Sequence, residues 1–242
     1  MRLSRLHQTQ KLASGTTVAL ERDSAHYLGR VLRLQPGDTI HLFNSEDGEF
    51  AAQVIELGKQ QALVRILEPV TVQANPQLSI HLGLGLSRGE RMDYAVQKST
   101  ELGVGSITPV ITEYCEVRLS PQRQENRQAH WQRVAISACE QCGRSQVPTV
   151  NRPETLLQWL ASHPSGILLD SRADAHLSDQ QVESSIALLV GPEGGFSEQE
   201  LDSARQHGYR VISLGPRVLR TETAPVAALS VLQYLFGDLR RS

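Results

Sequence analysis

Two segments constrain this chain more than any others, SIALLVGPEGGFSEQE over residues 185–200 and YRVISLGPRVLRTETAP over residues 209–225. Each carries an apolar strand into a loop loaded with glycine or charge, and from there into a helix. The stretch before them follows the same rhythm: LSIHLGLGL, a helix over residues 90–103, SITPVIT, a helix over 123–142, a helix around ETLLQWLA, and GILLD. Helices are then predicted over 197–207 and 224–238. Such alternation predicts an α/β domain on a largely parallel sheet. In sheets of that kind ligands gather beyond the carboxyl ends of the strands, so the two loops are where chemistry is expected.

The first seventy residues read differently. TTVAL, QPGDTIHLFN, EFAAQVIEL and QALVRILEPV are short β-segments separated by the turn signals Pro36-Gly37-Asp38 and Glu46-Asp47-Gly48. A small β-barrel is the economical architecture, with HYLGRVLR (residues 26–33) as a helical turn inserted in it. The pattern changes within TVQANPQ (residues 71–77), which divides the chain of 242 residues into a domain of 1–72 and a larger one of 73–242.

Charge is uneven. The total is −2, yet residues 1–34 hold six Lys/Arg against two acids, a net of +4, which leaves −6 for the remainder. Local positive charge is what holds backbone phosphates, so the N-terminal part suits a nucleic-acid face; a merely solvated basic surface is the plain alternative. MRLSRLHQTQ lacks a signal-peptide core and no apolar run reaches the roughly 18 residues of a membrane span, so a soluble cytoplasmic protein is expected. Three cysteines make no disulfide framework. Cys139 and Cys142 form a C-x-x-C inside helical periodicity with no second pair, so no metal is expected.

In the first loop, Ser197 and Glu200 form an S-x-x-E capping box that fixes a helix start. Gly191, Gly194 and Gly195 let bare backbone approach a ligand, although a plain strand-to-helix turn has the same look. The loop has no lysine and carries Glu193, so an anion is disfavoured and a neutral or cationic ligand fits better. In the second loop Thr223 is the expected N-cap, with Pro225 in the first turn. Arg217, Arg220, Thr221 and Glu222 bring more functional groups than a connection needs. Gly83-x-Gly85 also follows a strand, but the third position of a dinucleotide fingerprint is Arg88 and not glycine.

These loops, taken in order with HYLGRVLRLQPGD, RMDYAVQKSTELGVGSITPVIT and EQCGRSQVP, resemble the RsmE family, the 16S rRNA uracil-N3 methyltransferases of the SPOUT superfamily. The resemblance spans residues 26–229, with Arg88 in place of a lysine and Cys142 in place of a serine. It implies an α/β fold with a C-terminal parallel-sheet domain tied in a trefoil knot, and an N-terminal PUA-like barrel. Nothing in periodicity announces a knot, since chains almost never thread themselves. It implies a homodimer, with the last helix (Val226, Leu229, Val231, Leu232, Leu235, Phe236) suited to an interface or to the core, and 16S rRNA or the 30S subunit as partner.

Carried over residue by residue, Gly191, Glu193, Gly194, Gly195, Leu214, Gly215, Leu219, Arg220 and Thr223 would bind S-adenosylmethionine, with Leu214 and Leu219 backbone reading the adenine edge. Uracil N3 carries a proton and no free in-plane lone pair, so a base or a fixed positive charge is needed. Arg220 is assigned that charge, with Glu140 and Arg144 as catalytic partners; the latter two, at i and i+4, also suit a plain helix-face pair. Lys98 and Glu101 are read as scaffold. Arg2, Arg5, Arg30 and Arg33 are assigned to RNA phosphate, which positions a substrate without reading its bases. The rivals are a binding module without catalysis, and a related enzyme acting on a ribose 2′-hydroxyl or another base. Intact cofactor loops oppose the first, and the N-terminal barrel with EQCGR opposes the second.

Overall fold

The computed structural model describes residues 4–71, 78–177 and 184–239. Arg2 and most of the expected boundary in TVQANPQ lie outside the described residues. The chain forms two compact units, Met1–Asn75 with Cys139–Val147, and Pro76–Ala138 with Pro148–Ser242.

In the first unit β1 (Arg5–His7), β2 (Thr17–Leu20), β3 (Thr39–Asn44), β4 (Gly48–Leu57) and β5 (Ala62–Pro69) form one sheet in the order β1-β3-β4-β5-β2. Only the β1–β3 pairing is parallel. Register shifts between Phe50 and Ala52 and between Val54 and Glu56 bend β4 against β5, which is how bulges curl a sheet. The concave face closes over Leu6, Leu20, Ile40, Leu42, Val64 and Ile66. The turn Glu46-Asp47-Gly48 is built as read: Asn44 Oδ1 accepts from the Glu46 and Asp47 N–H groups, and Gly48 takes φ 90°. The helical insertion starts earlier than expected, as α1 (Arg22–His26), and runs on into a π-helical turn over Tyr27–Val31 that plugs Leu28 into the core.

In the second unit, β6 (Ser79–Gly85), β7 (Ser106–Ile111), β8 (Thr149–Val150), β9 (Glu154–Thr155), β10 (Gly166–Leu169), β11 (Ser185–Val190) and β12 (Tyr209–Ile212) form a wholly parallel sheet. The order is β12-β10-β11-β6-β7-β8, with β9 also on β7. Around it lie α2 (Glu90–Glu101), α3 (Pro121–Cys142, whose last residues from Cys139 count with the first unit), α4 (Leu156–Ser162), α5 (Glu198–Gln206) and α6 (Thr223–Phe236).

Strand β11 explains the sheet's burial. Ile186, Leu188 and Val190 join the core that includes Met92, Trp131 and Leu229 from α2, α3 and α6. Ala187 and Leu189 point the other way, into the core of Trp159, Leu160, Leu201 and Ala204 from α4 and α5. A strand apolar on both faces needs helices on both, as parallel sheets do. Gly83 and Gly85 find their reason here. A Cβ on Gly85 would overlap the Pro192 backbone, and one on Gly83 would lie 2.8 Å from Leu189 and Trp159 atoms, so both glycines serve close packing.

The capping box at α5 is present in both directions, with Glu200 N–H donating to Ser197 Oγ at 3.3 Å and Ser197 N–H to Glu200 Oε2 at 3.0 Å. A second box, Thr155 with Gln158, starts α4. Ser197→Ala is expected to lower stability by about 1 kcal/mol, read as a shift in urea midpoint without change of slope. The second loop differs from expectation. Thr223 is the first helical residue of α6, Glu222 holds the N-cap position, and neither gives a side-chain cap.

Candidate active site

The carboxyl ends of β10, β11 and β12 open on a cleft of about 720 Å³, within the usual size of a small-molecule site. Both predicted loops line it. Gly191, Glu193, Gly194, Gly195, Leu214, Leu219 and Arg220 are on its wall, whereas Gly215 and Thr223 are not. Gly215 shapes the turn instead, at φ 100°, and Thr223 faces solvent. Thr221 takes the place expected of Thr223: it is buried, lines the cleft, and its hydroxyl donates to the Gly191 carbonyl at 2.9 Å, tying the two loops together. At Gly194 the backbone passes so near Tyr114 that a Cβ would lie 2.6 Å from the tyrosine Cβ.

A third loop, not singled out from the sequence, completes the wall. Asp170 and Arg172 follow β10. Arg172 grips Asp170 with two hydrogen bonds of 2.9 and 2.7 Å, reaches Glu198 at 2.6 Å, and donates to the Phe196 carbonyl at 3.2 Å. The Arg172 bonds hold the Asp170 carboxyl below its ordinary range despite burial. This arginine fastens the β10 loop to the start of α5.

The cleft's floor is apolar, from Leu169, Val190, Ile212, Leu214 and Ala224, and its rim is charged. Glu193 pairs with Arg91 at 2.7 Å. Arg220 is 78% exposed, and its nearest carboxylate oxygen, Glu222 Oε1, stands 4.0 Å away. The second oxygen, Glu222 Oε2, is buried with no hydrogen-bond partner. An apolar floor, close-packed glycine backbone and carboxylates suit a flat heteroaromatic ligand that carries positive charge.

The remaining predicted residues belong to the other unit. Glu140 accepts from the His7 N–H at 3.0 Å, and burial pushes its carboxyl above the ordinary range. The Arg144 carbonyl accepts from Arg5 at 3.1 Å. Arg30, in the π-helical turn, and Arg33, just beyond it, are exposed. The phosphate role read for Arg5 is corrected: its side chain is 8% exposed, pairs with Glu49 through bonds of 3.0 and 2.6 Å, and bonds the Cys139 carbonyl at 2.5 Å. A side chain this buried, with four of its five N–H donors bonded inside the unit, is not placed to grip an external phosphate. Cys139 is buried too, its thiol pushed up to about 12 by burial, which makes it an inert core thiol.

The comparisons with known proteins agree with this geometry. Residues 73–233 match the family model of the RNA methyltransferase domain, and residues 20–67 that of the RNA methyltransferase PUA domain, so fold and cleft are those of an RNA methyltransferase. The chain belongs, within that class, to the ribosomal RNA small subunit methyltransferase E (RsmE) family. It is 34% identical over 242 residues to the member from Buchnera aphidicola subsp. Schizaphis graminum, covering 98% of each chain. The crystal structure of the Neisseria gonorrhoeae member bound to S-adenosyl methionine is 37% identical, with a TM-score of 0.92 over 98% of this chain and 99% of that one. A methyltransferase-like chain from Legionella pneumophila, solved with bound cofactor SAM, is 39% identical with a TM-score of 0.94, over 98% of this chain and 100% of that one. The family resemblance and the parallel-sheet domain with a PUA-like companion are thereby borne out.

Proposed function

We propose that this chain methylates N3 of a uridine in 16S ribosomal RNA, within the small subunit, using S-adenosylmethionine. The observation that carries the reading is the cleft itself: loops of three adjacent parallel strands that combine an apolar floor, carboxylates and exposed arginines, Arg220 among them, in a member of a family whose relatives are named ribosomal RNA small subunit methyltransferase E and include one solved with S-adenosyl methionine. The cofactor supplies an electrophilic methyl group that needs no further activation. Gly191, Glu193, Gly194, Gly195, Leu214 and Leu219 would hold it, with Gly215 shaping the second loop. The residues present fit it, since the floor takes a purine and the carboxylates take positive charge.

Arg220 does the chain's own chemistry. Uracil N3 attacks only as its anion, formed as its proton passes to water, and the charge is then spread over N3 and the flanking carbonyl oxygens. A guanidinium held at the cleft's mouth, with only a carboxylate at 4.0 Å for company, stabilises that charge as it forms. Glu140, raised by burial, and Arg144 are proposed as further catalytic residues. Arg30 and Arg33 are proposed to hold phosphate.

The same reading includes a trefoil knot, a homodimer and a cytoplasmic site of action. Support for the knot is the family resemblance of the two loops that follow β11 and β12. For the dimer it is α6, which buries Leu229 and Leu232 but leaves Val231 and Tyr234 exposed at 40% and 61%. No helix among the described residues is long and apolar enough to cross a membrane.

The test is transfer of labelled methyl from S-adenosylmethionine to small subunits taken from a strain lacking the gene, followed by nucleoside analysis. The expected product is 3-methyluridine. A different methylated nucleoside would overturn the substrate, and absence of cofactor binding would overturn the enzyme.

A further inference from the structure

Three carboxylates line the cleft, and they are not in the same state. Asp170 is neutralised by the two-bond grip of Arg172, and Glu193 by Arg91 at 2.7 Å. Glu222 receives no hydrogen bond from a cation: Arg220 stands 4.0 Å away and is 78% exposed, and the Arg91 charge acts on it only through space. Its Oε2 is buried without a partner, and among the described residues Glu222 is the one residue lining the cleft that carries such an atom. A buried carboxylate oxygen left unpaired is costly, more so than a neutral acceptor. The residue keeps this cost at the N-cap position of α6, where its backbone is fixed and its side chain makes no cap.

We infer that Glu222 is the acceptor for the α-ammonium group of the bound cofactor. This rests on the cofactor reading given above. The choice among the cofactor's groups follows from what the oxygen lacks. It needs an N–H or O–H donor, which excludes the sulfonium, a cation without one. Its charge, which no cation meets with a hydrogen bond, favours a cationic donor over the neutral adenine amine or ribose hydroxyls, because a charge-assisted bond is about twice as strong as a neutral one. The ammonium is the cofactor's only group that is both. Glu222 is thus a binding residue, and Arg220 keeps the other carboxylate oxygen as its neighbour.

The experiment is calorimetric binding of three ligands to the intact protein and to E222Q: S-adenosylmethionine, S-adenosylhomocysteine, and 5′-methylthioadenosine, which lacks the amino-acid end. E222Q is expected to weaken the first two equally, by about ten- to a hundredfold, the range for a hydrogen bond to a charged group. Binding of 5′-methylthioadenosine is expected to be unchanged, which also reports that the cleft is intact. Weakening of S-adenosylmethionine alone would assign Glu222 to the sulfonium and overturn the inference, as would equal weakening of all three or of none. If the unmodified protein binds none of the three, it is the cofactor reading that fails.

Discussion

Replacing Arg220 by alanine is expected to lower methyl transfer by at least a hundredfold while leaving affinity for S-adenosylmethionine within about tenfold. The split follows from where the side chain stands. Arg220 is mostly exposed at the mouth of the cleft, held by no bond shorter than its 4.0 Å approach to Glu222, so removing it subtracts little from the walls that grip a cofactor. What it removes is a fixed positive charge beside the spot where the uracil anion must form. Loss of one such preorganised group ordinarily costs a factor of 10² to 10³. Lysine should recover only part of the rate, because a point charge does not match two acceptor positions as a planar guanidinium does. Single-turnover kinetics with saturating cofactor, beside a binding titration, reads both quantities. An alanine variant that is active, or one that is inactive only because it no longer binds cofactor, would take the catalytic role away from Arg220.

Much of this was legible in the sequence, for reasons that differ from element to element. The parallel sheet announced itself because β11 must be apolar on both faces to lie between two helix layers, and SIALLV is. The start of α5 was legible because a capping box is a local device, settled by Ser197 and Glu200 alone. The second loop was less so: Thr221 and Thr223 both look like caps, and only the tertiary approach of Gly191 decides that Thr221 faces inward. Asp170 and Arg172 gave no signal, since DSRAD reads as an ordinary polar turn until Glu198 and Phe196 are brought beside it. The segment Cys139–Val147 was illegible for a similar reason. Its helical periodicity continues smoothly from α3, and nothing local says that it leaves with the first unit. That allegiance is written in Arg5 and Glu49, residues that the charge count treats as surface.

Glu49→Ala is accordingly expected to be among the most destabilising single changes in the first unit, at about 3–5 kcal/mol near neutral pH. Glu49 is 5% exposed and accepts from Arg5 twice, from His41 at 2.7 Å and from Ser145 at 3.0 Å. Deleting it leaves the Arg5 guanidinium buried against the Cys139 and Arg144 carbonyls with its charge uncompensated. Replacing both partners, Arg5→Met with Glu49→Leu, should cost less than the single change, because the desolvated charge then disappears along with its partner. The pH dependence has a definite sign. Burial raises the Glu49 carboxyl, but the bonds from Arg5 and His41, the Arg5 charge and the Ser145 bond outweigh it and leave the group below its ordinary value of 4.5. A depressed folded-state value contributes stability that is present above the ordinary carboxylate range and lost as pH falls through the folded value. The gap between the parent protein and Glu49→Ala, followed by urea unfolding across that range, should therefore be widest near neutrality and narrow in acid. Were the single change to cost less than about 1 kcal/mol, in the manner of an exposed pair, Arg5 would be free to turn outward and its phosphate role would return.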